Sequence, residues 1–348
     1  MAETRANQPD QVTWHDGVHI CDTAIWCDAL RARDVCFVSC AHAIPGSKHG
    51  QLVATAATLA MLGEAAGDTR LAVPYGRPFT LGTVRLELIR SGHGLGSAGL
   101  LVDVDGRRVL YASAVNPGGG GLGGNADNRP CDTLVLAADY GDPRFRFPDR
   151  DGIIDQVADF VLDVTTSSGA AVLLVSSPSK ALDVASRLAD RMPDRLAARS
   201  STAPGGLLSF FGHRRIYDAA LRARRVIGLT PRIRRLATAA PPAGHVTLWP
   251  LSRRTALPDA LPPGSRVALV SGLAMDRDAV GELEEQGVSA GFPWSNQADC
   301  DQLVEYIEGC GASQVFLTHR HADSLATALD RPGRVTRSLG PPRQMSLF

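Results

Sequence analysis

Apolar positions along this chain come in short runs broken by turns, a pattern that predicts many short strands and a few helices. Val35–Ser39 is β-branched and aromatic and reads as a buried strand. A loop over Cys40–Gly50 follows, then a stretch from Gln51 to Gly63 that reads as helical. Val84–Arg90 alternates in strand fashion. Gly99–Ser113 reads as a hairpin, because two apolar runs flank the turn pair Asp105-Gly106. Pro117–Asn128 is a glycine-rich loop, and Thr133–Ala137 is another buried strand.

The pattern then changes. Ile153–Val164 and Lys180–Arg191 read as helices, and Ala170–Val175 and Arg225–Leu229 as strands, which predicts a small parallel α/β unit. A Pro/Ala turn cluster occupies Ala239–Gly244. Strands at Val246–Trp249 and Val267–Val270, a helix at Asp299–Glu308 and a last strand at Gln314–Leu317 complete the reading. From Arg331 the chain is rich in Pro, Arg and Gly and reads as a loosely ordered tail.

Composition narrows the class. A chain of 348 residues is long enough for two domains, or one domain with an insertion. With 44% hydrophobic and 21% charged residues it is neither disordered nor fibrous. The 36 basic and 36 acidic side chains exclude a global polyelectrolyte field but not a local basic patch. Apolar runs such as Ala170–Val175 are too short to span a membrane, and Met1–Asp10 lacks a basic-then-apolar leader. The expectation is a soluble cytoplasmic protein with no membrane partner. The seven cysteines form no CxxC pair and read as buried small hydrophobes, Cys40 excepted.

Of the nine histidines, three stand just after strands. Val35–Ser39 runs into Cys40-Ala41-His42, Val84–Arg90 into Ser91-Gly92-His93, and Gln314–Leu317 into Thr318-His319. Strand ends that converge at one sheet edge are a common way to assemble a metal site. The glycines at 92, 94 and 96 are not a dinucleotide fingerprint, since a strand rather than a helix follows them.

Five blocks carry a specific resemblance. They are VCFVSCAHAIPGSKHGQLVATAATLAML, YGRPFTLGTVRLELIRSGHGLGSAGLLVDVDGRRVLYASAVN, CDTLVLAADYGDPRFRFP, VALVSGLAMDR and GFPWSNQADCDQLVEYIEGCGASQVFLTH. Together they resemble the β-CASP nucleases of the metallo-β-lactamase fold, most of all the bacterial DNA-ligase-associated exonucleases. The resemblance implies an α/β protein: an αββα sandwich over 12–149 and 276–335, a β-CASP-like α/β insert over 150–275, and a loose tail over 336–348. Members bind two metals, usually Zn²⁺ or Mn²⁺, through His and Asp, and cleave DNA or RNA.

Carried over position by position, the ligand set is incomplete. The first loop, H-x-H-x-D-H in the family, has Cys40, His42, Ile44 and Pro45 at its four ligand places. His93 keeps its place. The bridging Asp falls at Ala114, the acid of the E-[SA]-T-[YF]-G block at Ala137 with Asp139 out of register, and the His of the S-D-H-A-D block at Gln297. His319 keeps the place of the final ligand. Two-metal cleavage needs ions ~4 Å apart that share a bridging group. The resemblance therefore implies a degenerate member that acts as a binding or scaffold subunit beside an active nuclease, ligase or helicase, as the inactive sister subunit does in mRNA 3′-end cleavage complexes. Cys40, His42 and His93 are one zinc's worth of ligands, so two readings stay open: a single-Zn hydrolase, or a dead pocket with no metal.

A third reading comes from charge. Ten Arg and one acid, Asp218, lie between Arg214 and Arg254. Arg214, Arg215, Arg222, Arg224, Arg225, Arg232, Arg234 and Arg235 are candidates for binding DNA or RNA, with a solvated helix face or an acidic partner as the alternatives.

Overall fold

The computed structural model describes residues 10–43, 47–119, 121–199, 209–229, 231–236, 240–258 and 261–341. The chain divides into two compact units, Met1–Arg146 with Asn296–Phe348, and Phe147–Ser295.

The first unit opens with β1 (Val12–Trp14), β2 (Val18–Ile20), β3 (Ile25–Cys27), β4 (Val35–Phe37) and β5 (Gln51–Ala54). Then come α1 (Ala56–Leu62), β6 (Arg70–Ala72), β7 (Phe79–Leu81), β8 (Val84–Arg90), β9 (Ala98–Val104), β10 (Arg107–Ser113) and β11 (Thr133–Ala137). The second unit contains α2 (Arg150–Thr166), β12 (Ala171–Val175), α3 (Pro178–Arg199), β13 (Phe210–Gly212), α4 (Arg214–Ile227), β14 (Ile233–Arg235), β15 (Val246–Pro250), β16 (Arg266–Val270), α5 (Arg277–Glu284) and β17 (Val288–Phe292). The chain returns to the first unit with α6 (Cys300–Cys310), β18 (Gln314–Thr318), α7 (Ala322–Ala328) and β19 (Val335–Ser338).

The first unit is a four-layer α/β body. One sheet has the order β1-β2-β3-β4-β5-β6 and the other β19-β18-β11-β10-β9-β8-β7. Val18, Ile20, Phe37 and Val53 of the first sheet pack against Leu88, Leu100, Val102 and Tyr111 of the second. Strand alternation sends their neighbours the other way. Cys36, Leu52 and Ala54 meet Leu59 and Leu62 of α1. On the far side Leu110, Leu134, Leu136 and Leu317 meet Leu303, Ile307 and Leu325 of α6 and α7. The hairpin predicted at Asp105-Gly106 is present: Arg107 pairs with Val104, and both turn residues have positive φ, 51° and 80°.

The second unit is a six-stranded sheet, β14-β13-β15-β12-β16-β17, with every pair parallel. Strands β12 and β15 are buried along their whole length, as expected where helices cover a parallel sheet.

Several expectations change. Gln51–Ala54 is the strand β5, and only Ala56–Leu62 is helical, because Thr55 caps the helix by accepting from Thr58 N. The strand expected at Arg225–Leu229 is the end of α4; Gly228 caps it with φ 65°, and the strand comes later, at Ile233–Arg235. Val-Ile in that stretch are helix residues because Ile216, Ala219, Ala220 and Ala223 give α4 a buried stripe at helical spacing. The division between units falls at Ser295 rather than 275, since α5 and β17 extend the second unit's sheet. The tail expected to be loose from Arg331 contains β19, paired in parallel with β18 from Gln314↔Val335 to Leu317↔Ser338. Residue 239 of the turn cluster, and 342–348 of the tail, lie outside the described residues. Among the described residues no helix is long and apolar enough to cross a membrane.

The last strand is held by an ion pair. Arg334 donates through both terminal nitrogens to Glu308 on α6, at 2.7 and 3.0 Å, and Arg331 adds a contact at 2.6 Å. The hydrogen bonds from Arg334 hold the Glu308 carboxyl down at about 2, below its ordinary 4.5. A carboxylate with a depressed folded-state pKa contributes stability above its unfolded value and loses it as pH falls through the folded one. Glu308→Gln is therefore expected to flatten the acid side of the stability profile between about pH 4.5 and 2, read by denaturant midpoints across that range.

Candidate metal centre

The centre is built where strand ends of both sheets in the first unit meet. Val38 continues β4 by donating its N–H to Val53 O, and the chain then turns through Cys40, whose carbonyl accepts from Ala43 N at 3.2 Å. Cys40 is buried, whereas His42 is an exposed residue whose ring reaches inward. From the second sheet, β8 leads through Gly92 to a buried His93. The loop after His93 is anchored to α1, because Thr55 and Thr58 hydroxyls both donate to Gly96 O at 2.7 Å.

The ligand atoms of Cys40, His42 and His93 all lie within 4.8 Å of one another. Nε2 of His93 is 2.6 Å from Nε2 of His42, and Nδ1 of His93 is 3.0 Å from the carbonyl of Asn296. A carbonyl only accepts, so Nδ1 of His93 carries the proton and Nε2 offers its lone pair to the other ring. Fixing one nitrogen by a backbone carbonyl and freeing the other is the usual arrangement around a ligating imidazole. Burial alone pushes the Cys40 thiol up, but the adjacent His42 charge and hydrogen bond bring it below its ordinary value overall. Burial likewise opposes a charged His42, yet the Cys40 thiolate, Asp28 and Asp139 raise it overall. Each group therefore favours the charged form of the other.

Beneath it sits Asp28, at the end of β3 with φ 48°. Its carboxylate accepts from Ser39 N at 2.8 Å, Ser39 Oγ at 2.6 Å and Tyr111 OH at 2.8 Å. Burial nevertheless raises its pKa, because the loss of hydration outweighs these bonds.

A cavity of about 380 Å³ opens over the cluster and is lined also by Trp14, Leu30, Ala114, Asp139, Gln297 and His319. The register Ala137↔Thr318 sets β11 and β18 side by side, so Asp139 and His319 leave neighbouring strand ends. His319 has φ 73°, and its Nδ1 is 2.7 Å from Thr318 Oγ1. Ala137 itself is buried in β11. Ile44 and Pro45 lie outside the described residues. Asp299 acts as the N-cap of α6, in a reciprocal capping box with Gln302. Among the described residues, Cys40, His42 and His93 form the one group of three or more His, Cys, Asp or Glu side chains close enough to share an ion.

Thiolate with two imidazoles is a donor set suited to Zn²⁺, and three protein ligands leave a fourth position open. The donor types, their convergence and the Asn296 support are compatible with one zinc. Sequence reasoning found these three but missed Asp28, Tyr111 and Asn296, and set Asp139 aside on register alone. No local signal marks the first three, since each acts on a partner far away in the chain.

No family model matches the chain. It is 24% identical over 348 residues to a protein of Opitutus terrae described as a probable DNA ligase, an alignment covering 97% of this chain and 32% of that one. The chain thus spans about a third of the length of that relative. It is 25% identical over 103 residues to an RNase J-like protein of Methanocaldococcus jannaschii, covering 29% of this chain and 24% of the other.

Gly92 sets the entry of His93. Its φ is 73°, and a Cβ there would stand 2.4 Å from Asn116 O. Gly92→Ala is expected to cost more than about 1 kcal/mol in chemical denaturation and to weaken binding of Co²⁺, read from its thiolate absorption band.

Proposed function

We propose that this chain is a metallo-β-lactamase-type protein with a β-CASP-like insert, working in nucleic-acid processing as a binding or scaffold subunit built around a single zinc-type centre. The layer order of the first unit, a parallel α/β unit inserted between β11 and α6, and likeness to a probable DNA ligase and an RNase J-like protein support the family reading.

The observation that carries the functional reading is the asymmetry of the cavity. Three of the residues lining it converge as ligands. The rest of the lining includes Ala114, Gln297, Asp139 and His319, and Ala114 takes the place that the resemblance assigns to a bridging carboxylate. One carboxylate and one imidazole are a poor hold for a second divalent ion, and in-line phosphodiester cleavage by two ions needs both. A DNA ligase is the favoured partner, because the relative that matches nearly all of this chain is named for that activity and continues well beyond the match.

A single-Zn hydrolase is the second reading, favoured by the cavity of about 380 Å³ that gives a small substrate access to the cluster. A zinc ion held by Cys40, His42 and His93 would supply Lewis acidity. Asp28 keeps the Cys40 loop in place through Ser39, and Asn296 holds His93 in the ligating tautomer. Thr318 fixes His319 through Nδ1, which leaves Nε2 as the ring nitrogen able to give or take a proton.

Elemental mass spectrometry on untagged protein is expected to find about one zinc per chain, lost in Cys40→Ala. Absence of metal from the native protein would overturn the zinc centre. With Mn²⁺ or Zn²⁺ added, no cleavage of single- or double-stranded DNA or RNA is expected; cleavage abolished by His42→Ala would overturn the scaffold role. Small phosphodiester and ester substrates test the second reading, through turnover that falls with the zinc content.

A further inference from the structure

The second unit carries a feature that the zinc centre does not use. Helix α4 buries Ile216, Ala219, Ala220 and Ala223 and turns its other side to solvent. Beside it runs β14, the edge strand of the sheet, with Ile233 buried and Arg234 and Arg235 exposed. Between helix and strand lies a groove of about 380 Å³. Arg224, Arg232, Arg234 and Arg235 line it with Tyr217 and Leu221, and among the described residues no acidic one does. The nearest acid in sequence, Asp218, pairs with Arg214 at 3.8 Å.

We propose that this groove holds the phosphate backbone of a single-stranded nucleic acid. Guanidinium groups match phosphate oxygens in a two-pronged geometry that ammonium groups lack. Four of them around one concave space repel one another unless a polyanion sits among them. Charged side chains on β14 also protect a sheet edge from pairing with another chain. That role leaves the concave shape unexplained, and also the placing of Arg224, on the helix, and Arg232, ahead of the strand, around the same space. Tyr217 in the wall offers a ring on which an unpaired base can stack, which favours a single strand over a duplex.

The inference rests on the nucleic-acid reading above and names the surface that makes the contact. Its test is fluorescence anisotropy with short labelled single-stranded DNA and RNA over a series of KCl concentrations. The proteins compared are the full chain, Arg224→Ala/Arg232→Ala and, as a control outside the groove, Arg277→Ala. All three positions are exposed, and circular dichroism checks the fold of each variant. Each lost phosphate contact lowers the slope of log affinity against log salt by about 0.7, so the double variant should lose about 1.4 and bind roughly tenfold more weakly. Arg277→Ala should leave the slope unchanged. Intact binding with an unchanged slope in the double variant would overturn the groove and leave the nucleic-acid reading standing. Binding of polyglutamate with no binding of either nucleic acid would overturn both, and would make the groove a surface for an acidic protein.

Discussion

A half-buried carboxylate, Asp28, ties the two facing sheets of the first unit together directly beneath the Cys–His–His cluster. It leaves the end of β3 in the first sheet and accepts from Ser39, just beyond β4, and from Tyr111 on β10 of the second sheet. Ser39 adds a hydroxyl contact to Ser113 at 3.2 Å. Taking a carboxylate out of water costs several kcal/mol, and three short hydrogen bonds offset much of that. The consequence is local rigidity where the fold needs it. The loop that carries Cys40 and His42 belongs to one sheet, His93 to the other, and the three can meet only if the sheets keep a fixed separation at this end.

The same arrangement orders the electrostatics of the cavity. Asp28 and Asp139 favour a charged His42, and His42 in turn draws the Cys40 thiol below its ordinary pKa against the opposing effect of burial. The Asn296 carbonyl accepts the Nδ1 proton of His93, whose Nε2 faces His42. A zinc ion takes thiolate and neutral imidazole, so His42 would have to give up its proton as a metal enters. The same cavity is also lined by Ala114, Gln297, Asp139 and His319, and His319 is held by its own neighbour Thr318.

The second unit divides its charge in a different way. Its strands β12 and β15 are buried along their whole length, with Thr247 the one polar residue in them. Four of the unit's arginines, Arg224 on α4, Arg232 in the turn and Arg234 and Arg235 on the edge strand β14, meet around one groove. Edge position and amphipathicity, two ordinary properties of an α/β sheet, suffice to gather residues that the sequence distributes over a helix, a turn and a strand.

Much of this architecture was legible from the chain itself. Alternation and apolar runs marked β8, the β9–β10 hairpin, β11, β12 and β18, because burial of one or both strand faces leaves a local pattern. The positions of Cys40, His42 and His93 after strand ends were legible for the same reason. Where local pattern was ambiguous the reading failed: Val226-Ile227 suit a strand, and only packing of α4 makes them helical, while Val335–Ser338 is too short and polar to declare itself without β18 alongside. The site's supports were not legible at all. Asn296 reaches His93 across 203 residues and Tyr111 reaches Asp28 across 83. Local sequence sets which backbone conformations are cheap, but a hydrogen bond between distant residues exists only once the sheets have packed. The donor set of the centre is thus written in the sequence, and its protonation, its spacing and its cavity are decided by the tertiary structure.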